Sequence, residues 1–202
     1  MKRPWYELPE LNYEYDALEP HIDAMTMQIH YSKHHRGYVD GANDALYQLE
    51  KARESGDYSS IRRWERDLSF NLSGHINHKL FWESIGPDGG GSPEGEMRGK
   101  VKRDFGSLDA FKAHLTAAAL SIQGSGWVIL SWDPIAKLLL LVTAENHENR
   151  GVRGGVPLMA LDMWEHAFYL KYQYRKADYV SAYWNVVDWK SVARRFEKAS
   201  GG

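Results

Sequence analysis

The chain has 202 residues, enough for one large domain or two small ones sharing a core. At 43% hydrophobic and 26% charged residues the composition is that of an ordinary globular protein, which excludes wholesale disorder. Acids and bases nearly cancel at a formal net charge of -2, so nucleic acid is not expected as a partner. Cysteine is absent, which removes disulfides, thiolate ligands and iron–sulfur chemistry.

The segment from Met1 to Glu7 carries basic residues with no apolar stretch behind them, so no secretory leader is expected. The longest apolar run, Leu138 to Val142, is too short to span a bilayer. A cytoplasmic location without membrane contact is therefore expected. Residues 1–20, punctuated by Leu8-Pro9 and Glu19-Pro20, predict an extended arm. A helix over 23–52 follows, with Gly37 and Gly41 as weak points. After the turn Ser55-Gly56-Asp57 a second helix covers 59–84, and the two make an antiparallel hairpin. The glycine- and proline-dense run from Gly86 to Gly95 is the strongest break. It separates an expected N-terminal helical hairpin domain, residues 1–88, from a C-terminal domain, residues 96–202.

Beyond the break, 100–105 and 108–122 read as helices, and Gly124-Ser125-Gly126 stops the second. Residues 127–132 and 138–144 are β-rich and joined by Asp133-Pro134-Ile135-Ala136-Lys137, which predicts a hairpin. A third strand is expected over 156–162, and the remainder, rich in tyrosine and tryptophan, reads as mostly helical. The fold class is α+β: the helical hairpin, then an α+β domain with a three-stranded antiparallel sheet.

In the first helix His30, His34 and Tyr38 recur every four residues, one drifting stripe on an α-helix. In the second, His75 and His78 are three apart, and Trp82 lies four further on. Paired helices would bring these stripes together, and one ligand per helix is a common way to build a metal site. Asp162 and His166 follow the third β-like run among Trp164, Phe168 and Tyr169. A carboxylate and an imidazole in so apolar a segment need a partner to offset desolvation: a metal, or each other in a buried hydrogen bond. His30, His78, Asp162 and His166 are thus a candidate ligand set suited to iron, manganese or zinc. Other readings are a zinc hydrolase and a structural metal-binding oligomer. A hydrolase would need a general base at the metal, where the sequence offers Tyr38 rather than a free glutamate.

Several stretches resemble the iron/manganese superoxide dismutases, in that family's order and spacing. They are the run from Leu11 to Pro20; Met27-Gln28-Ile29-His30-Tyr31-Ser32-Lys33-His34-His35 with Tyr38; and Asn77-His78 with Leu80-Phe81-Trp82. Gly124-Ser125-Gly126-Trp127, Asp162-Met163-Trp164-Glu165-His166-Ala167-Phe168-Tyr169 and Tyr183-Trp184-Asn185-Val186-Val187-Asp188-Trp189 continue the match. The resemblance implies superoxide as substrate and one iron or manganese per subunit. Iron is slightly favoured, with use of either left open. His30, His78, Asp162 and His166 would be the ligands, and water or hydroxide would take a fifth position. Tyr38 would donate protons beside the site, His34 would sit next to it, and Trp82, Trp127 and Trp164 would wall the pocket. The chain would form a homodimer or homotetramer, with Glu165 reaching the partner's His166 and Tyr169 the partner's His34.

Three positions depart from the commonest family patterns. The glutamine usually near the bound solvent is absent from both of its usual places, which here hold Gly74 and His147, and Lys176 stands where arginine is common. His147 is expected to supply the missing hydrogen bond, so the catalytic residues are Tyr38, His34 and His147. An imidazole can titrate near neutral pH, whereas an amide cannot. Lys33, Arg36, Arg175 and Lys176 are candidates for steering the anion, Lys33 and Lys176 matching basic family positions best.

Overall fold

The computed structural model describes residues 4–149 and 152–201. Lys2 and Arg3, the basic residues on which the leader reading rested, lie outside them. The first helical stretch is in three parts: α1 (Ala24–Ile29), a π-helical segment (His30–His35) and α2 (Arg36–Ser55). Asp23 caps α1 by accepting from the Thr26 backbone N–H at 2.9 Å. Gly56 ends α2 in the left-handed conformation that glycine adopts without steric cost. Helix α3 (Ile61–Ser84) runs back along α2.

The π segment corrects the single unbroken helix expected over 23–52. The Arg36 N–H reaches the Tyr31 carbonyl five residues back, so the turn is wider than an α-turn. On an ideal α-helix His30 and His35 would point in different directions. Here both are buried, and the extra residue lets consecutive histidines, His34 and His35, serve different interior contacts. Gly41 has a packing role rather than being merely a weak point. A Cβ there would sit 2.5 Å from Asn71 Oδ1, so the glycine sets how closely α2 and α3 approach.

The Gly86–Gly95 loop leads to α4 (Gly95–Phe105) and α5 (Leu108–Ser121). Ser107 caps α5 through the Ala110 N–H. Strands β1 (Gly126–Asp133), β2 (Leu138–Glu145) and β3 (Val156–Asp162) form one antiparallel sheet in the order β2-β1-β3. The fold is α+β, as the sequence predicts. The central strand β1 is buried along nearly its whole length, which explains its unbroken apolar run. The β1–β3 register slips beside Leu130 and Ser131, where Ser131 pairs with Pro157 and Leu158 is the extra residue.

The C-terminal stretch is helical in pieces: a 3₁₀ turn (Glu165–Ala167), α6 (Tyr169–Tyr172), α7 (Lys176–Tyr183) and α8 (Trp189–Ser200). Phe111, Leu115, Tyr179, Tyr183 and Phe196 pack with the sheet into one core that also takes Phe81 and Trp82 of α3. This shared core fixes the end of β3 against α3 and the π segment. Among the described residues no helix is long and apolar enough to cross a membrane.

Candidate metal centre

Four side chains from four elements converge: His30 from the π segment, His78 from α3, Asp162 from the end of β3 and His166 from the 3₁₀ turn. Their ligand atoms all lie within 4.8 Å of one another. Asp162 Oδ2 is 3.1 Å from His30 Nε2, 3.1 Å from His166 Nε2 and 3.7 Å from His78 Nε2. The other carboxylate oxygen, Oδ1, accepts from the Trp164 backbone N–H at 2.8 Å, which orients the group.

The donors fit a metal on their own chemistry. His30 Nε2 and His78 Nε2 are buried and lack hydrogen-bond partners. Unpaired buried nitrogens of this kind are rare and costly unless something binds them. The opposite nitrogen of His78, Nδ1, lies 2.6 Å from the Gly74 carbonyl. A carbonyl only accepts, so the hydrogen sits on Nδ1 and the Nε2 lone pair faces the cluster. An imidazole whose far N–H is held by a carbonyl is the usual state of a metal-ligating histidine.

Electrostatics agree. Burial, aided by the nearby His166, pulls the His30 imidazole down to about 4, and burial also holds His78 well below its ordinary value. Both imidazoles are neutral at pH 7. Burial pushes the Asp162 carboxyl up, but the His166 imidazole, its hydrogen bond and the nearby His30 outweigh it and hold the group below the usual carboxylate range. Three imidazole nitrogens and one carboxylate oxygen suit iron or manganese.

The remaining predicted residues surround this set. His34 stacks on His166 with ring centroids 4.2 Å apart. Tyr38 packs against His78 at 5.0 Å and His147 at 4.4 Å. Trp82 meets the edge of His30 at 4.6 Å, Trp127 packs on His78 at 5.0 Å, and Trp164 lies 5.4 Å from His166. Gly74 leaves the room that Tyr38 and His147 fill: a Cβ there would lie 2.9 Å from the Tyr38 ring and 3.3 Å from the His147 ring.

His147 is buried on the loop after β2 and pinned from several sides. Its ring stacks on Trp164 at 4.3 Å and 8°. Asn77 Nδ2 donates to its carbonyl at 3.0 Å, and the preceding Asn146, in the left-handed conformation asparagine tolerates, accepts from Trp164 Nε1. Trp127 Nε1 donates to His147 Nδ1 at 3.0 Å, while His147 Nε2 is buried without a partner. Burial lowers the His147 pKa to about 4. An imidazole can titrate near neutral pH, but enclosure by Trp127, Trp164, Phe70 and Tyr38 keeps this ring neutral.

Other residues fall away from the centre. His75 points at His35 rather than the ligands. Arg175 pairs with Asp178, and Lys176 Nζ reaches the Ile122 carbonyl at 3.4 Å. Glu165 and Tyr169 are exposed. Phe70, whose ring lies 4.8 Å from His147, was missed by the sequence reading. The signal was present, because Phe70, Gly74 and His78 recur every four residues on one face of α3.

Residues 5–86 match the alpha-hairpin domain of the iron/manganese superoxide dismutases, and residues 93–195 match the C-terminal domain of the same family. The chain belongs to that family. It is 50% identical over 196 residues to the "Superoxide dismutase [Mn/Fe]" of Propionibacterium freudenreichii subsp. shermanii, covering 96% of this chain and 98% of that protein. It is 50% identical over 194 residues to the "Superoxide dismutase [Mn]" of Nocardia asteroides, and 47% identical over 195 residues to the "Superoxide dismutase [Fe]" of Mycobacterium tuberculosis (strain ATCC 25618 / H37Rv). In both cases 96% of this chain and 94% of the relative are covered. Relatives at nearly equal identity thus carry manganese, iron or both in their names, so overall similarity does not select the metal.

Proposed function

We propose that the chain is a superoxide dismutase, converting two superoxide anions and two protons to O2 and hydrogen peroxide with one iron or manganese per subunit. The convergence of three imidazoles and one carboxylate within 4.8 Å, in a chain of this family, carries the reading. A redox-active iron or manganese held by these residues would supply the electron exchange between the two superoxides.

The protein's part is to hold, neutralise and protonate. His30, His78 and His166 through Nε2, and Asp162 through Oδ2, are the ligands we assign. A single carboxylate leaves a trivalent ion undercompensated, so proton position near the site controls the potential. His147 acts there as a fixed donor through its buried Nε2–H. Tyr38 is the proton donor: burial first, then the nearby Asp162 carboxylate, raise its pKa and keep the phenol protonated. His34, stacked on His166, lies between the centre and solvent. Trp82, Trp127 and Trp164 exclude bulk water. Lys33 and Lys176 are the candidates for local attraction of the anion, since the net charge of -2 gives none.

A homodimer or homotetramer, with exposed Glu165 and Tyr169 facing a second copy, completes the proposal, and the cysteine-free sequence fits a cytoplasmic enzyme. Pulse generation of superoxide with the metal-loaded protein tests it. One O2 and one peroxide for every two superoxides consumed is expected. Consumption at the uncatalysed rate would refute it.

A further inference from the structure

The fold holds a second histidine pair that the reaction does not use. Trp82 Nε1 donates to His35 Nδ1 at 3.0 Å, and His35 Nε2 lies 2.8 Å from His75 Nδ1. An indole N–H can only donate. His35 Nδ1 is therefore an acceptor, its hydrogen sits on Nε2, and that hydrogen is donated to His75. The chain of bonds has one direction, Trp82 to His35 to His75, set by the donor at its inner end.

Each inner member touches a ligand that we assign to the metal. The Trp82 ring meets the edge of His30 at 4.6 Å, and the His35 ring lies nearly parallel to His78 at 5.3 Å and 18°. His75 continues the column, 5.1 Å from His35 and inclined by 26°. The outer end is closed by the N-terminal arm. The Tyr6 ring stands on His75 at 5.5 Å, and its backbone is held by both amide atoms of Asn43: Tyr6 N–H to Oδ1 at 3.0 Å, and Nδ2 to the Tyr6 carbonyl at 2.8 Å.

We infer that His75 and His35 are positioning residues for the metal centre: by accepting from His35, His75 holds the ring that fixes both the Trp82 indole and the His78 imidazole. The inference rests on the ligand assignment made above. The π segment gives it a structural reason, because that wide turn buries His35 together with His30. Buried polar pairs specify a unique arrangement when every member is satisfied, and an unsatisfied one is costly.

The test compares His75→Asn with His75→Leu. The Asn side-chain oxygen can stand where Nδ1 stands and accept the same hydrogen, whereas Leu fills space but accepts nothing. With iron loaded into each, the readouts are iron content per chain, the midpoint potential and the visible absorption bands. We expect full iron in both, unchanged potential and bands in His75→Asn, and a shift of both in His75→Leu. Equal shifts in the two variants, or no shift in either, would overturn the positioning role. The wild-type protein loaded with diamagnetic zinc gives a second test that needs no variant. Nitrogen NMR should find hydrogen on Nε2 of both His35 and His75, and hydrogen on Nδ1 of either would overturn it. Failure of wild-type protein to bind iron at one per chain would instead strike the ligand assignment.

Discussion

Trp127 Nε1 donates to His147 Nδ1 at 3.0 Å, and this bond decides which hydrogen the imidazole offers. Indole is a donor only, so Nδ1 of the neutral ring must accept and Nε2 must carry the hydrogen. Nε2 is buried and unpaired beside the ligands. A histidine held this way offers one N–H in a fixed direction, as a glutamine side-chain amide would. A glutamine would lose the ring stacking on Trp164 that fixes this direction, so replacing His147 with Gln should alter the ratio of activities of the iron and manganese forms. Trp127→Phe should lower activity by roughly 10–100-fold at unchanged metal content, the usual size of an outer-shell loss. An unchanged ratio in His147→Gln would remove His147 from control of the metal.

Two helical glycines make opposite predictions. At Gly74 a Cβ would lie 2.9 Å from the Tyr38 ring, too close without displacing it. Gly74→Ala should destabilise the protein by about 1–3 kcal/mol and disturb Tyr38. At Gly37 nothing lies within 4 Å, so Gly37→Ala should stabilise by roughly 0.5–1 kcal/mol. Denaturant unfolding of the pair checks both signs.

Tyr38→Phe removes a hydroxyl and little volume. The four ligand side chains do not depend on it, so metal content should stay at the wild-type level while turnover at high superoxide slows. Loss of metal would make Tyr38 a structural residue instead.

Acid should weaken the metal-free protein earlier than carboxylates alone would dictate. Burial lowers His30 and His147 to about 4 and His35 to about 3. In the unfolded chain these groups take up protons as pH falls through about 6.5. The folded state then binds fewer protons than the unfolded one, so stability falls as pH drops from about 6.5 toward 4. Each such imidazole contributes on the order of 1 kcal/mol per pH unit in that window. Unfolding midpoints at pH 7.5 and pH 5 should differ clearly, and a bound metal should preserve or widen the difference, because it holds its ligands deprotonated in the folded state while the unfolded chain still takes up protons. Equal midpoints in the metal-free protein would show that these rings are not buried neutral.

Much of this was legible in the sequence because it rests on periodicity. The helical hairpin and the three strands follow from stripes and apolar runs, which offer His30, His78, Asp162 and His166 as one candidate set, and the family resemblance selects it. The π segment was not legible. One extra residue in a turn leaves no mark in composition, and its effect appears only where His35 and His30 are both buried. The neutrality of His147 was also hidden, because it depends on Trp127, Trp164 and Phe70, which come from three distant parts of the chain. Gly74 could be read as a missing glutamine. That it makes room for Tyr38 needed the third dimension.

The most direct test of the central claim is to strip the protein of metal, refill separate portions with iron, manganese or zinc, and measure superoxide removal against metal content. One ion per chain is expected in each, with activity restored by iron, manganese or both and not by zinc. Uptake of iron and manganese at one per chain without superoxide removal would contradict the account.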